Sequence, residues 1–352
     1  MKKFWKSIYM IIMAIAFASF LTTGCGSSKE EKPVLNIYSW ADYYDPEVLA
    51  EFEKKYNCEI TYDVYSNNEE LLAKMQAGGA QFDVIQPSDY MVSTMLKLDM
   101  LEKLDHSKIP NLQNITPALR HPKYDPNQEY SAAYVWGLTG IVYNKRYVKE
   151  TPTSWQDLWN PKYKGHVILL NDCREVFSLA LKKHGRSNNT TDPQQIEEAY
   201  RDLKKLNENV LAFDTENIKP KFISEEAWIG QMWSGDAAYS YTENPNLGFV
   251  IPKEGTLIWA DNLAIPKGCK HKDLAEKFIN YMYDPAVSAR NFNYSRLPNA
   301  NEKAWPLMDP AIINNPVLQE ANRYLERGEW LHDIGDGIRL YDKHWTELKT
   351  GN

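Results

Sequence analysis

Cysteine is scarce in this 352-residue chain. The four cysteines stand at 25, 58, 173 and 269, with no C-x-x-C pair and no Cys/His spacing of the zinc-binding kind. A structural zinc site and a disulfide framework are therefore not expected. The seven histidines never fall at helical i, i+4 spacing. Also missing are G-x-S-x-G, H-E-x-x-H, the P-loop and G-x-G-x-x-G, which removes the usual motifs of hydrolytic, metalloprotease and nucleotide chemistry. Asp and Glu are too common for the same argument to remove a carboxylate-based hydrolase. Basic charge is in deficit, with 40 Lys and Arg against 47 Asp and Glu. That sign argues against nucleic acid, whose affinity comes from cations neutralising phosphates.

No apolar run reaches the 20 or so residues of a spanning helix. The longest, 8–21, has 14 uncharged residues behind a basic start with Lys2, Lys3 and Lys6. This is the shape of a signal-peptide core. It ends in LTTGC at 21–25, which resembles a bacterial lipoprotein box, with Thr22 where an aliphatic residue is usual. That resemblance implies removal of 1–24, lipidation of Cys25 and a polar tether over 25–33. Ordinary signal cleavage and an uncleaved anchor are the alternatives. Loss of 1–24 leaves 328 residues and moves the formal charge from −7 to −10. Single cores stop growing near 250–300 residues, so two domains are expected.

What the chain does contain is an alternation of strand and helix signals. Val34–Ser39 reads as a strand, and Asp45-Pro46-Glu47 opens a helix with Asp as N-cap and Pro at the first turn. Ile60, Tyr62 and Val64 alternate with polar residues as in a strand, and Leu71, Leu72 and Met75 mark a helix. A strand at 82–86 and a helix from Asp89 to Leu98 follow. Further on come a short helix capped by Ser154, a strand at 167–170, and helices begun by Asp172 and by Asp192-Pro193. Lys272–Met282 and Val317–Leu325 complete the amphipathic helices. This order predicts an α/β fold with a mainly parallel sheet covered by helices.

Aromatic residues are plentiful, with 11 Trp and 22 Tyr, and several stand beside carboxylates at strand ends. The clusters are 40–43 (WADY), 172–175 (DCRE), 232–236 (MWSGD) and 259–261 (WAD). In α/β sheets ligands bind outside the carboxyl ends of strands, where such segments gather. Each cluster has a structural reading as well: Trp as packing, Asp172 with Glu175 as a helix cap, Asp261 as a partner for a lysine. Together they suit a linear polyamine. Carboxylates neutralise its ammonium groups, and ring faces cover the methylenes and attract the cations. Rings alone do not compensate the several kcal/mol (order of magnitude) needed to desolvate an ammonium.

Seven motifs then occur in order: YSWADY at 38–43, QPSDY at 86–90, AYVWG at 133–137, SWQDLW at 154–159, DCREVF at 172–177, IWADNLAIP at 258–266 and GEW at 328–330. They resemble the spermidine/putrescine-binding proteins of bacterial polyamine ABC transporters, from about Val34 to the C-terminus. The resemblance implies a two-lobed type II periplasmic-binding-protein fold, each lobe a mainly parallel sheet flanked by helices. It implies one lobe of 34–136 with 262–305, and another of 137–261 with 306–352. Crossings between them are expected near Tyr134–Trp136, near Trp259–Asn262 and after Lys272–Met282. Carried over by position, aromatic walls are Trp40, Tyr43, Trp233, Trp259 and Tyr294, with Tyr90 nearby. The acids are Asp42, Asp172, Glu175 and Asp261, and Ser88 is a hydroxyl partner.

Two positions depart from the family pattern: Ala41 replaces a threonine and Leu331 replaces a glutamine; Asp42 stands where the family often has Glu. They leave the choice among amines open. The implied function is an extracytoplasmic, lipid-anchored binding protein that delivers polyamine to permease subunits of an ABC importer, without catalysis, cofactor, metal or nucleic acid. A binding protein for another small solute, a polyamine sensor and a secreted hydrolase are the competing readings. Competition between amines and sugars, and a search for product formation, separate them.

Overall fold

A computed structural model describes residues 32–78, 81–324 and 328–351. The expected signal segment 1–24, the lipidation site Cys25 and the tether up to residue 31 lie outside the described residues. Val34–Asn352 forms one compact unit. Every element below belongs to it.

β1 (Val34–Ser39) leads into α1 (Pro46–Tyr56), where the Asp45 carboxylate accepts from Glu47 N at 2.9 Å and Pro46 fills the first turn. Asn57, with φ 51°, ends that helix in the left-handed region that Asn tolerates. β2 (Glu59–Val64) follows, then α2 (Asn68–Gln76), capped by the Asn67 side chain. β3 (Val84–Ile85) and α3 (Asp89–Lys97) complete the first run. β4 (Ser131–Asn144) is fourteen residues long and buried throughout.

Ser154 forms a capping box with Asp157, but Trp155–Trp159 closes as a 3-10 turn rather than an α-helix. The cause is local: Asn160-Pro161 starts another 3-10 turn immediately, and Glu254 anchors Ser154 Oγ and Trp155 N. β5 (Val167–Leu169), α4 (Cys173–Lys183), α5 (Pro193–Leu206), β6 (Val210–Phe213), α6 (Ile218–Ile223), β7 (Ile229–Trp233) and α7 (Ser234–Glu243) continue the alternation. The apolar stripe of α5 (Ile196, Ala199, Tyr200, Leu203, Leu206) is buried as its spacing predicts. β8 (Leu247–Val250) and β9 (Leu257–Ala264) then follow with no helix between them. The remainder is α8 (Lys272–Met282), α9 (Pro285–Ser295), α10 (Pro310–Ile313), α11 (Pro316–Tyr324), β10 (Glu329–Trp330) and α12 (Ile338–Thr350).

The sheet order is β2-β1-β3-β9-β4-β7-β5-β6, with β10 on β9 and β8 on β4. Both flanks are parallel: β1 with β2 and β3, and β5 with β6 and β7. The centre is antiparallel, because β4 meets β9 along residues 131–138 and then β7 and β8 along 139–144. The expectation of parallel pairing therefore holds at the flanks and fails at the centre, where β4 runs against β7, β8 and β9, and β3 against β9.

Two main hydrophobic cores form on this frame. One gathers Leu35, Ile37, Phe52, Val84 and Phe278, and the other Trp155, Phe177, Leu203 and Tyr341. No helix among the described residues is long and apolar enough to cross a membrane. Cys173 and Cys269 are thiols.

Gly137 on β4 sits opposite Trp259 on β9. A Cβ there would lie 2.4 Å from Trp259 Cζ2, so the indole lies flat over the strand only because the residue is glycine. Gly137→Ala is expected to cost about 1–3 kcal/mol as overpacking and to alter tryptophan emission. Unchanged denaturation midpoint and emission would contradict this packing.

Candidate functional site

The carboxyl ends of β1, β3, β5 and β7 deliver the loops that meet around one cavity. After β1 come Trp40 and Tyr43; after β3, Ser88, Asp89 and Tyr90; before α4, Asp172 and, in its first turn, Glu175. Trp233 ends β7, while Trp259 and Asp261 project from β9, and Asn68 and Leu331 complete the wall. Nine of the eleven residues singled out in the sequence thus share one cavity.

Asp42 and Tyr294 do not line this cavity. Asp42 has φ 60°, and this turn puts its side chain 65% in solvent, 3.1 Å from the Lys219 ammonium. Tyr294 is 44% exposed near the end of α9. Asp42 borders an adjoining cavity that shares Trp40, Tyr43, Trp233 and Trp259 with this one.

Three indoles form a chain of edge-on contacts. Trp40 and Trp233 centroids are 5.8 Å apart at 76°, and Trp233 and Trp259 are 6.1 Å apart at 66°. Such T-shaped geometry fits the ring quadrupoles and leaves ring faces open. Trp40 Nε1 donates to Gln86 O at 3.2 Å and Trp233 Nε1 to Glu175 Oε1 at 2.8 Å. Trp259 Nε1 is buried without a partner.

The carboxyl groups are held by hydroxyls, amides and backbone. Ser88 opens α3 without capping it; its Oγ instead donates to Asp261 Oδ1 at 2.6 Å and accepts from Asn68 Nδ2 at 2.9 Å. Tyr43 OH donates to Asp261 Oδ2. Glu175 Oε1 also accepts from Thr139 Oγ1 at 3.0 Å, and Gln231 Nε2 donates to Glu175 O at 2.9 Å. Asp172 Oδ1 accepts from Glu175 N at 3.0 Å, so this residue caps α4 and lines the cavity together. Tyr90 OH donates to Glu69 Oε1 at 3.1 Å.

Among the described residues, no lysine or arginine pairs within 4.0 Å of Glu69, Asp89, Asp172, Glu175 or Asp261. Arg174 is the adjacent cation, and its guanidinium donates to Asn188 O at 3.1 Å and Asn189 Oδ1 at 3.2 Å instead. Removal from water consequently dominates. Burial, reinforced by the Asp172 charge, pushes Glu175 up to about 8 against the hydrogen bonds from Trp233 and Thr139. Burial pushes Asp261 up to about 7 against those from Ser88 and Tyr43. Glu69 rises to about 7 through burial and then the Asp172 charge. Asp172 and Asp89 are raised by burial too, Asp89 strongly. In their ionised form such groups are stabilised further by an incoming cation.

Sequence reasoning did not single out Asn68, Glu69 or Asp89. Asp89 stands inside QPSDY at 86–90, between the two residues that the family pattern carries. Asn68 and Glu69 begin a helix whose capping signal hides any second role. No group of three His, Cys, Asp or Glu side chains among the described residues is arranged to hold a metal ion.

Comparison with known proteins places the chain in a family. Residues 47–319 match the model of the bacterial extracellular solute-binding protein family. The spermidine/putrescine-binding periplasmic protein of Escherichia coli K12 is 38% identical over 325 residues, covering 92% of this chain and 93% of that protein. The putrescine-binding periplasmic protein PotF of the same organism is 31% identical over 361 residues, covering 97% and 98%. A solved spermidine/putrescine ABC transporter substrate-binding protein of Streptococcus pneumoniae superposes with a TM-score of 0.76 at 34% identity, covering 91% and 99%. The architecture is the two-lobed type II periplasmic-binding-protein fold, and binding rather than catalysis is the family's activity. An acid-lined, ring-walled cavity at converging strand ends, on a chain matched over this length, therefore belongs to a bacterial extracellular solute-binding protein.

Proposed function

We propose that this protein captures a linear polyamine and hands it to the membrane subunits of an ABC importer. The observation that carries the reading is the set of buried carboxyls with no lysine or arginine within ion-pair distance, interleaved with three indoles. Asp261, held by Tyr43 and Ser88, takes one ammonium. Asp172 and Glu175 take another, and Trp40, Trp233 and Trp259 cover the methylenes between them. A sugar would leave the carboxyls uncompensated, and an anionic solute would be repelled by them.

In this reading the cavity lies between the lobes, 34–136 with 262–305 and 137–261 with 306–352. Ligand contacts to both favour the closed form, which the permease recognises. A ligand shifts that balance only by its preference for one state. The mature chain begins at a lipidated Cys25, which ties it to the outer face of the cell membrane. The names of both Escherichia coli relatives, one spermidine/putrescine-binding and one putrescine-binding, support the class of ligand.

Titration calorimetry with putrescine and spermidine should give stoichiometric binding, with maltose giving none. Asp261→Asn should weaken spermidine by at least a hundredfold, since a buried charge left unpaired costs about 3–5 kcal/mol. Equal affinity in the variant would refute the assignment.

A pH dependence follows from the raised carboxyls. Ordinary values lie near 4, so between about pH 4 and 8 the empty folded protein holds protons that the unfolded chain has lost. Stability of the empty protein present below that window is lost as the pH rises through about 7 (Asp261) and 8 (Glu175). A bound cation keeps these groups ionised. Spermidine affinity should therefore rise from pH 5.5 to pH 8, with proton release visible as buffer-dependent heats. A flat profile with no proton release would show that the carboxyls are already ionised when the site is empty.

A further inference from the structure

The cavity adjoining the main one shares Trp40, Tyr43, Trp233 and Trp259 with it, so a flexible chain lying against those rings reaches both. Its own wall adds Asp42, Glu216, Lys219 and Asp236. Lys219 stands in the first turn of α6. Its ammonium lies 3.1 Å from Asp42 Oδ2 and 3.3 Å from Oδ1 of Asp236, which belongs to the first turn of α7. The side chains of Lys219 and Asp236 are 20% and 18% exposed, so this contact is largely withdrawn from solvent. The Tyr239 ring, also on α7, lies 5.5 Å from the same ammonium.

Two carboxylates and a ring around an ammonium repeat the chemistry of the main cavity with one difference: here the ammonium belongs to the chain. The Asp236 charge, opposed by burial and helped by Asp42, raises the lysine above its ordinary value, so it stays charged. A second fixed cation borders this end, since Arg296 lies 4.6 Å from the Tyr239 ring and pairs with Glu243 at 3.5 Å. Glu216 is the remaining acid of this cavity; it is exposed and already accepts from Ser66 Oγ at 2.6 Å. On the other side, past Leu331, the wall carries Lys123, His121 and His332, and its one acid is Asp89, whose free oxygen is sealed from solvent.

We infer that Lys219 is a specificity-determining residue: its ammonium occupies the place that a third ligand ammonium would take, and it limits tight binding to amines whose charges the main cavity alone can match. This rests on the polyamine reading above and adds to it a preference for a linear diamine over a triamine. A triamine anchored at Asp261, Asp172 and Glu175 leaves its third ammonium in water or brings it against a cation of like sign. Without the lysine, that ammonium would meet Asp42 and Asp236 instead. An amine held by those two acids alone is screened by solvent, but one already anchored in the main cavity arrives there at high effective concentration.

The test is calorimetry with putrescine and spermidine on the wild type, Lys219→Met and Lys219→Arg. The wild type should bind putrescine at least as tightly as spermidine. Lys219→Met should raise the spermidine-to-putrescine affinity ratio at least fivefold, and Lys219→Arg, which keeps the cation, should leave it within twofold of wild type. Circular dichroism melts establish that each variant folds, and Lys219→Gln takes the place of Lys219→Met should that variant not fold. Three results overturn the assignment while leaving the polyamine reading intact: a wild type that prefers spermidine, a ratio unmoved in the folded neutral variant even where both amines weaken together, or an arginine variant that shifts as far as the neutral one. A wild type that binds neither amine overturns both.

Discussion

Desolvated carboxyls without a cation are the constraint around which the site is organised. Moving an isolated carboxylate out of water costs far more than one hydrogen bond returns. The empty protein meets this cost in two ways. It surrounds Asp261 and Glu175 with hydroxyl, indole and amide donors, and it lets burial raise the groups until they hold protons near neutrality. Neither solution is as good as an ammonium in contact. An ammonium entering the cavity relieves the remaining cost.

Holding such groups close together requires a rigid frame, and the sheet supplies it. Ser88 and Asp261 face each other across an antiparallel bridge between the end of β3 and β9. The bridge fixes the hydroxyl and the carboxylate with backbone rather than with side-chain choice. Glu175 is fixed differently, by its place in the first turn of α4 and by Thr139 on β4 and Gln231 on β7. Trp259 relies on the absence of a side chain at Gly137. Each functional group therefore leans on a different element, and β4, which pairs with β7, β8 and β9, is common to several of them.

Much of this was legible in the sequence because local rules and the fold agree. The Asp45-Pro46 and Asp192-Pro193 starts, the α5 stripe and the strand at Val34–Ser39 stand where the residues predict. Antiparallel pairing at the centre was not legible, since β4, β7 and β9 carry ordinary strand composition and their register depends on contacts distant in the chain. In the site, Asp172 shows how two readings merge: its capping signal and its place in the wall use the same carboxyl. Asp42 shows the opposite. Its neighbours Trp40 and Tyr43 point inward, but its own positive φ turns it out toward Lys219, and one sequence gives no warning of that turn. Asp89 was hidden for a third reason: a carboxyl at the start of a helix reads as a favourable first-turn charge, and its place in the cavity wall shows only in the structure.

Lys219 makes the charge arrangement directional. Its ammonium bridges Asp42 and Asp236, and both neighbours hold it charged throughout the physiological range. These three residues border a cavity that shares Trp40, Tyr43, Trp233 and Trp259 with the main one, so on that side Asp42 and Asp236 are already neutralised, whereas the acids of the main cavity are not. Attraction therefore increases inward, toward Asp261, Asp172 and Glu175, where water is fewest and each charge contact is worth most. Had Asp42 and Asp236 been left unpaired at the mouth, amines would collect at a solvent-screened surface site of little value. The internal lysine satisfies the outer acids so that the buried ones remain for the ligand.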